Sequence, residues 1–178
     1  MTIVPDDKDW TWVLSERCPE CGFDASVVPF AHVPRLLREN AAAWPALLRS
    51  TDAAVRPDAS TWSTLEYAAH VRDVCRVMSE RLALILAEDA PVFANWDQDA
   101  TAVAERYHEQ DPATVAVELV AAAEEAASAF GAVGPEQLDR VGTRSNGSVF
   151  TVETLGIYFL HDPIHHLADV TAHRSTVE

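Results

Sequence analysis

Apolar residues recur along this chain mainly at helical spacing, in four long stretches separated by turn-forming residues. Between residues 30 and 50, Leu36, Leu37, Trp44, Leu47 and Leu48 share one face of a predicted helix. Pro34 suits its first turn, whereas Pro45 lies in its interior and predicts a kink or interruption. Asp52, Pro57, Asp58 and Ser60 mark a loop over 51–60. The second helix has the clearest start. Ser63-Thr64-Leu65-Glu66 reads as a capping box, in which the Ser63 hydroxyl accepts from the Glu66 amide and the Glu66 side chain reaches back. Trp62 and Tyr67 are placed for a hydrophobic staple around it, and the pattern runs to about Glu88. Tyr67, His70, Val71, Val74, Val77, Met78 and Ile85 form its apolar face, with Arg72, Asp73, Arg76 and Glu80 on the other side. His70 is therefore aimed at the core.

Residues 89–111 form a long connection with a short helix expected at about 99–108. Its Phe93, Trp96 and Asp97 are too apolar and specific for a plain linker, and such connections often line binding sites. A third main helix covers Pro112 to Phe130, with Asp111 as cap and Gly131 or Gly134 after its end. The helical period then breaks over 132–150, where Asn146-Gly147 signals a tight turn and a small hairpin or loop. Thr151 caps the last helix, and Glu153 lies in its first turn. Pro163 falls inside that helix and predicts either a kink or a break with Asp162 as a new cap. Residues 1–28 read as an irregular segment, with Pro5, an acidic run, Trp10, Trp12 and CPECGFD, ahead of a helical unit over 29–174.

Composition narrows the function classes. Hydrophobic residues make up 48% of the 178, enough for a sizeable core. Thirteen Lys and Arg against 28 Asp and Glu give a net charge of −15. Phosphate backbones and anionic membrane surfaces repel such a chain, so neither is an expected partner. No apolar run is long enough to span a bilayer, the start lacks a signal pattern, and three Cys do not make an even disulfide set. These features lead us to expect a cytoplasmic protein with a small-molecule substrate.

The candidate chemistry lies in YFLHDPIHHLAD, residues 158–169. His161 and His165 are four apart, which stacks two imidazoles on one helix face. With His70 they make three nitrogens able to hold a divalent ion such as zinc or nickel and leave positions open. A water or thiol entering those positions is acidified and becomes a nucleophile. His165 shares its stripe with Tyr158, His161 and Ala168 and is expected inward. His166 shares a more polar stripe with Asp162 and Asp169 and is expected outward. Asp169 is then a candidate to orient a ligand or a plain surface charge. Cys18-Pro19-Glu20-Cys21-Gly22 has the local form of a zinc knuckle. No second C-x-x-C completes it, and His32 and Cys75 are poorly spaced partners. Cys18 and Cys21 remain either a tight turn with two thiols or a local disulfide, or a second metal or redox pair.

Trp62-Ser63, Glu66-Tyr67, His70-Val71-Arg72-Asp73 and His161, His165-His166, Asp169-Val170 together resemble the DinB/YfiT-like metalloenzyme family. That family includes the mycothiol-dependent maleylpyruvate isomerases, and the resemblance spans about residues 30–172. It implies an all-α, up-down-down-up four-helix bundle with a long crossover, and a metal held by His70, His161 and His165. In the thiol-dependent branch some members carry Glu where this chain has His161. The branch implies an S-transferase or isomerase using a low-molecular-weight thiol of the mycothiol or bacillithiol type. Glu66 and Asp97 are then catalytic candidates, and Tyr67, Trp96 and Tyr158 pocket candidates. A hydrolase on the same ligands, with Glu66 or Asp97 as base, is the alternative, followed by a non-catalytic metal-binding or stress-response protein. A homodimer is the expected assembly.

Overall fold

The computed structural model describes residues 3 and 8–175, with side chains through residue 172. Pro5 and Asp6-Asp7, part of the irregular start, lie outside the described residues. The helices are α1 (Val33–Leu48), α2 (Thr64–Ala87), α3 (Gln98–Ala104), α4 (Pro112–Gly131) and α5 (Val152–Ser175). The four long ones form a bundle in which α4 packs on both α1 and α2. Helix α5 closes the other side against the same two, so α1 and α2 lie across a diagonal. Trp44, Leu65, Leu119, Phe130, Phe159 and Leu160 fill the interior, each at most 1% exposed.

The local signals in the sequence act at the helix ends. The Ser63 hydroxyl accepts from the Glu66 amide at 3.2 Å, and the Glu66 carboxylate accepts from the Ser63 amide at 2.9 Å. Trp62 and Tyr67 meet around this cap with ring centroids 5.6 Å apart. Thr151 and Thr154 cap α5 reciprocally, each hydroxyl accepting the other's amide at 2.9–3.0 Å. Asp97 and Asp111 cap α3 and α4.

The fold is mostly but not wholly helical, where the resemblance implied an all-α bundle. Strands β1 (Val92–Phe93), β2 (Val141–Arg144) and β3 (Val149–Thr151) form a small sheet in that order. β2 and β3 are the hairpin turned at Asn146-Gly147, where Gly147 takes φ +96. β1 adds in parallel, pairing Val92 with Thr143, so the long connection is anchored to the hairpin. The short helix ends at Ala104 rather than 108, and Arg106 follows in the left-handed region.

Neither interior proline breaks its helix: α1 continues through Pro45 and α5 through Pro163. A helix-interior proline costs about 3 kcal/mol. Phe159, Leu160 and Val170, all at most 3% exposed, each return about 1.5–3 kcal/mol by burial on the bundle. Asn40 of α1 also donates to the Pro163 carbonyl at 2.8 Å, joining the two helices there.

The N-terminal segment has no long helix of its own. It makes three short 3-10 turns between Trp10 and His32 and lies against α5, burying Val13, Cys18 and Phe23. The middle of α5 is thereby packed from two sides, by α2 and by this segment.

Candidate metal centre

Helix α5 carries two interleaved pairs at four-residue spacing, His161 with His165 and Asp162 with His166. One residue along a helix is a rotation of about 100°, so the pairs face different neighbours. Asp162 and His166 face His70 on α2, and the three donor atoms all lie within 4.8 Å of one another. His161 and His165 face the N-terminal segment, where they join Cys18 and Cys21 within the same 4.8 Å limit.

The structure thus divides the expected three-histidine set. His70 stands with Asp162 and His166, while His161 and His165 belong to a separate cluster. The polar stripe of His166 predicts a solvent-facing side chain. That inference assumes one packed face per helix, and here the polar stripe is packed too. His166 lies against the Tyr67 ring at 5.0 Å and the His70 ring at 4.8 Å. His32 is exposed, and neither it nor Cys75 joins a cluster among the described residues.

In the first cluster His70 Nε2 lies 3.3 Å from Asp162 Oδ1, and His166 Nε2 lies 3.7 Å from the same oxygen. His166 Nδ1 is 3.2 Å from Asp169 Oδ2, the carboxylate–imidazole pairing that orients a metal ligand. Trp96 stacks on His70 with centroids 5.3 Å apart and planes 10° from parallel, and Trp62 contacts the same ring at 5.3 Å. Among the described residues, the buried side-chain polar atoms lacking a hydrogen-bond partner are His70 Nδ1 and Nε2, Asp162 Oδ1 and His161 Nε2. An unsatisfied buried polar group costs about 1–3 kcal/mol. Their confinement to these two clusters fits donor sets for cations, and imidazole with carboxylate suits a divalent ion of the zinc or nickel type.

The electrostatics resolve one imidazole and one carboxylate of the two clusters, His161 and Asp162. Burial, with the neighbouring His165 adding to it, lowers His161 to about 4. Burial alone would raise Asp162, but His70 and His166 hold it below the ordinary aspartate range. Burial pushes the Cys21 thiol up to about 11.

A cleft of about 340 Å³ opens over the clusters, lined by Trp10, Trp62, Tyr67, Tyr158, Asp162 and His166 among others. A second cavity of about 360 Å³ adjoins it across Trp10, Tyr158 and Asp162 and reaches Trp96 and Asp97. Tyr67, Trp96 and Tyr158 therefore face these spaces. Burial raises both Tyr67 and Tyr158, so both phenols keep their protons at neutral pH. Glu66 is placed differently. Its carboxylate is held by Ser63 and by the Arg56 guanidinium, and it serves the start of α2. Burial would raise its pKa, but those hydrogen bonds prevail and lower it. Asp97 accepts from the Ala100 amide at 2.8 Å as the cap of α3.

The fold and the cluster define a helical-bundle protein with a cation-type donor set at a cleft. The chain belongs to the DinB superfamily, whose sequence profile matches residues 35–170. Among solved structures it is similar to YfiT from Bacillus subtilis, described as a probable metal-dependent hydrolase with an unusual four-helix bundle topology. That likeness has a TM-score of 0.75 at 20% identity, over 83% of this chain and 87% of the other. No curated protein matches the chain. No helix among the described residues is long and apolar enough to cross a membrane.

Proposed function

We propose that the chain is a divalent-metal-dependent enzyme whose metal is held by His70, Asp162 and His166, and that a low-molecular-weight thiol is its co-substrate in S-transfer or isomerisation. The observation carrying this reading is the orphaned donor set, His70 Nδ1 and Nε2 with Asp162 Oδ1, at a cleft of small-molecule size. A divalent ion held there supplies positive charge that makes a thiol or water more acidic.

The protein's own groups do the positioning. Trp62 and Trp96 fix the His70 ring, and Asp169 fixes His166. Protonated Tyr67 and Tyr158 can donate to an oxygen of the electrophile, and Trp10 and Trp62 exclude water from the cleft wall. The thiol is favoured over water as nucleophile because the carboxylates considered as bases are engaged. Glu66 is tied to Arg56 and Ser63, and Asp97 caps α3. A thiol, with a pKa of about 8.5, needs less help to ionise than water at about 15.7. Hydrolysis is the second reading, favoured by the description of the structural neighbour.

Protein purified without chelator should turn over an activated aryl chloride only when a thiol is added. His70→Ala and Asp162→Asn should each lose bound metal by elemental analysis and lower that rate by more than about 100-fold. Equal hydrolysis of a nitrophenyl ester with and without thiol would favour the hydrolase. Undiminished metal in both variants would remove the site.

A further inference from the structure

The second cluster has a different donor set from the proposed active site, although the two share one cleft and Asp169 lies 3.8 Å from His165 and 3.2 Å from His166. We infer that Cys18, Cys21, His161 and His165 form a closed, structural site for a thiophilic divalent ion of the zinc class, which staples the N-terminal segment to α5.

The donor set is two thiols and two imidazoles, all within 4.8 Å of one another. Two sulfurs and two nitrogens are a set that zinc takes in tetrahedral structural sites, and four protein ligands leave no position for substrate. The sequence spacing, Cys-x2-Cys followed far along the chain by His-x3-His, is also that of such sites. Each half is locally preformed. In the knuckle the Cys18 amide donates to the Phe23 carbonyl at 2.8 Å, and the Gly22 amide donates to the Cys18 carbonyl at 2.9 Å. Gly22 takes φ +77, which glycine adopts without strain, so the chain turns tightly just after Cys21. In α5 the four-residue spacing puts both imidazoles on the face toward this turn.

Three further observations point to a ligand. His161 Nε2 is buried and has no hydrogen-bond partner. His165 Nδ1 lies 3.6 Å from Cys18 Sγ, while its Nε2 lies 3.3 Å from Glu20 Oε2. A ring facing a thiol on one side and a carboxylate on the other has the arrangement of an oriented metal ligand. Trp10 covers both imidazoles at 5.5 and 5.1 Å, and Phe23 covers His161 at 5.5 Å. A disulfide between Cys18 and Cys21 would account for none of the imidazole features. An ion on all four would join positions 147 apart and hold a segment that has only 3-10 turns. It would also fix Trp10 and Glu20, which line the cleft over the first cluster.

The test uses the full chain purified without chelator and with reductant. Elemental analysis should find two divalent ions per chain. Cobalt-exchanged wild type should show thiolate-to-cobalt charge-transfer absorption, a reading that needs no variant to fold. That absorption should persist in His70→Ala, which loses only the first ion, and vanish in Cys18→Ser/Cys21→Ser, which loses only the second. Limited proteolysis should then cut within residues 10–32 of the double variant, or of chelated wild type, with the bundle left whole. Absence of the thiolate band from cobalt-loaded wild type would overturn the inference. So would a Cys18–Cys21 disulfide in protein kept under reductant, or unchanged metal content in the double variant. Wild-type protein carrying only the thiolate-bound ion would sink the proposed function and leave this site standing.

Discussion

Glu66 shows how one side chain can satisfy a structural demand while looking catalytic. It precedes His70 by one turn, which invites a role at the metal. Its oxygens instead take the Ser63 amide and hydroxyl and the Arg56 guanidinium. Glu66→Ala should therefore lower stability by about 1–2 kcal/mol, the scale of a lost helix cap, while leaving metal content unchanged. A urea titration with elemental analysis of the same sample checks both halves. At this scale the sequence was half legible. His70 was expected inward because its neighbours on α2 are apolar, and it is fully buried. The structure groups His70 with Asp162 and His166 rather than with His161 and His165, and adjacent α5 residues differ only by about 100° of rotation. Spacing alone cannot say which of two identical i,i+4 pairs meets α2. A usable sign was present: Cys18-x2-Cys21 and His161-x3-His165 have the paired spacing of the four-ligand site inferred above.

At the scale of elements, what was local was legible and what was tertiary was not. The capping box of α2, the Thr151 cap of α5 and the Asn146-Gly147 turn each depend on about four consecutive residues, and each forms as expected. The pairing of β1 with β2 joins residues that α3 and α4 separate in the chain, and two residues of strand carry no periodicity to detect. The unbroken course of α5 through Pro163 is likewise set by a neighbour. Asn40 donates to the Pro163 carbonyl and accepts from Trp44 Nε1 at 3.0 Å, all within the interior. Asn40→Ala removes one bond across the bundle and strands the buried indole donor. It should destabilise the protein by about 2–3 kcal/mol. The loss should appear as a lower denaturation midpoint with unchanged helicity by circular dichroism. A midpoint unchanged from wild type would show that other packing carries α5 past its proline.

For the whole molecule, a charge of −15 means that folding concentrates repulsion, and acidic groups must be individually satisfied. Asp73 is where this matters most, because it ties α2 to the chain entering α4. It accepts from Arg72 at 2.8 and 3.1 Å, from Arg76 at 3.0 Å and from the Tyr107 hydroxyl at 2.6 Å. Arg72 in turn reaches Gln110 and Glu118 on the α4 side. Burial would raise the Asp73 pKa, but Arg72 and Tyr107 together lower it. A carboxylate whose native pKa is depressed contributes stability that is complete above its unfolded value, about 3.9. That contribution is lost as pH falls through the lower native value. Wild-type stability should thus decline on acidification below about pH 5, partly through this group. Asp73→Asn should cost about 3 kcal/mol near neutrality, because it leaves Arg72 buried with a weaker partner. It should also flatten the acid limb of stability against pH. Urea midpoints measured across that limb, with chelator in both samples, isolate the Asp73 share, since Asp162 contributes equally to wild type and variant. Parallel acid limbs would show that the Arg72 and Tyr107 contacts do not depend on the charge of Asp73.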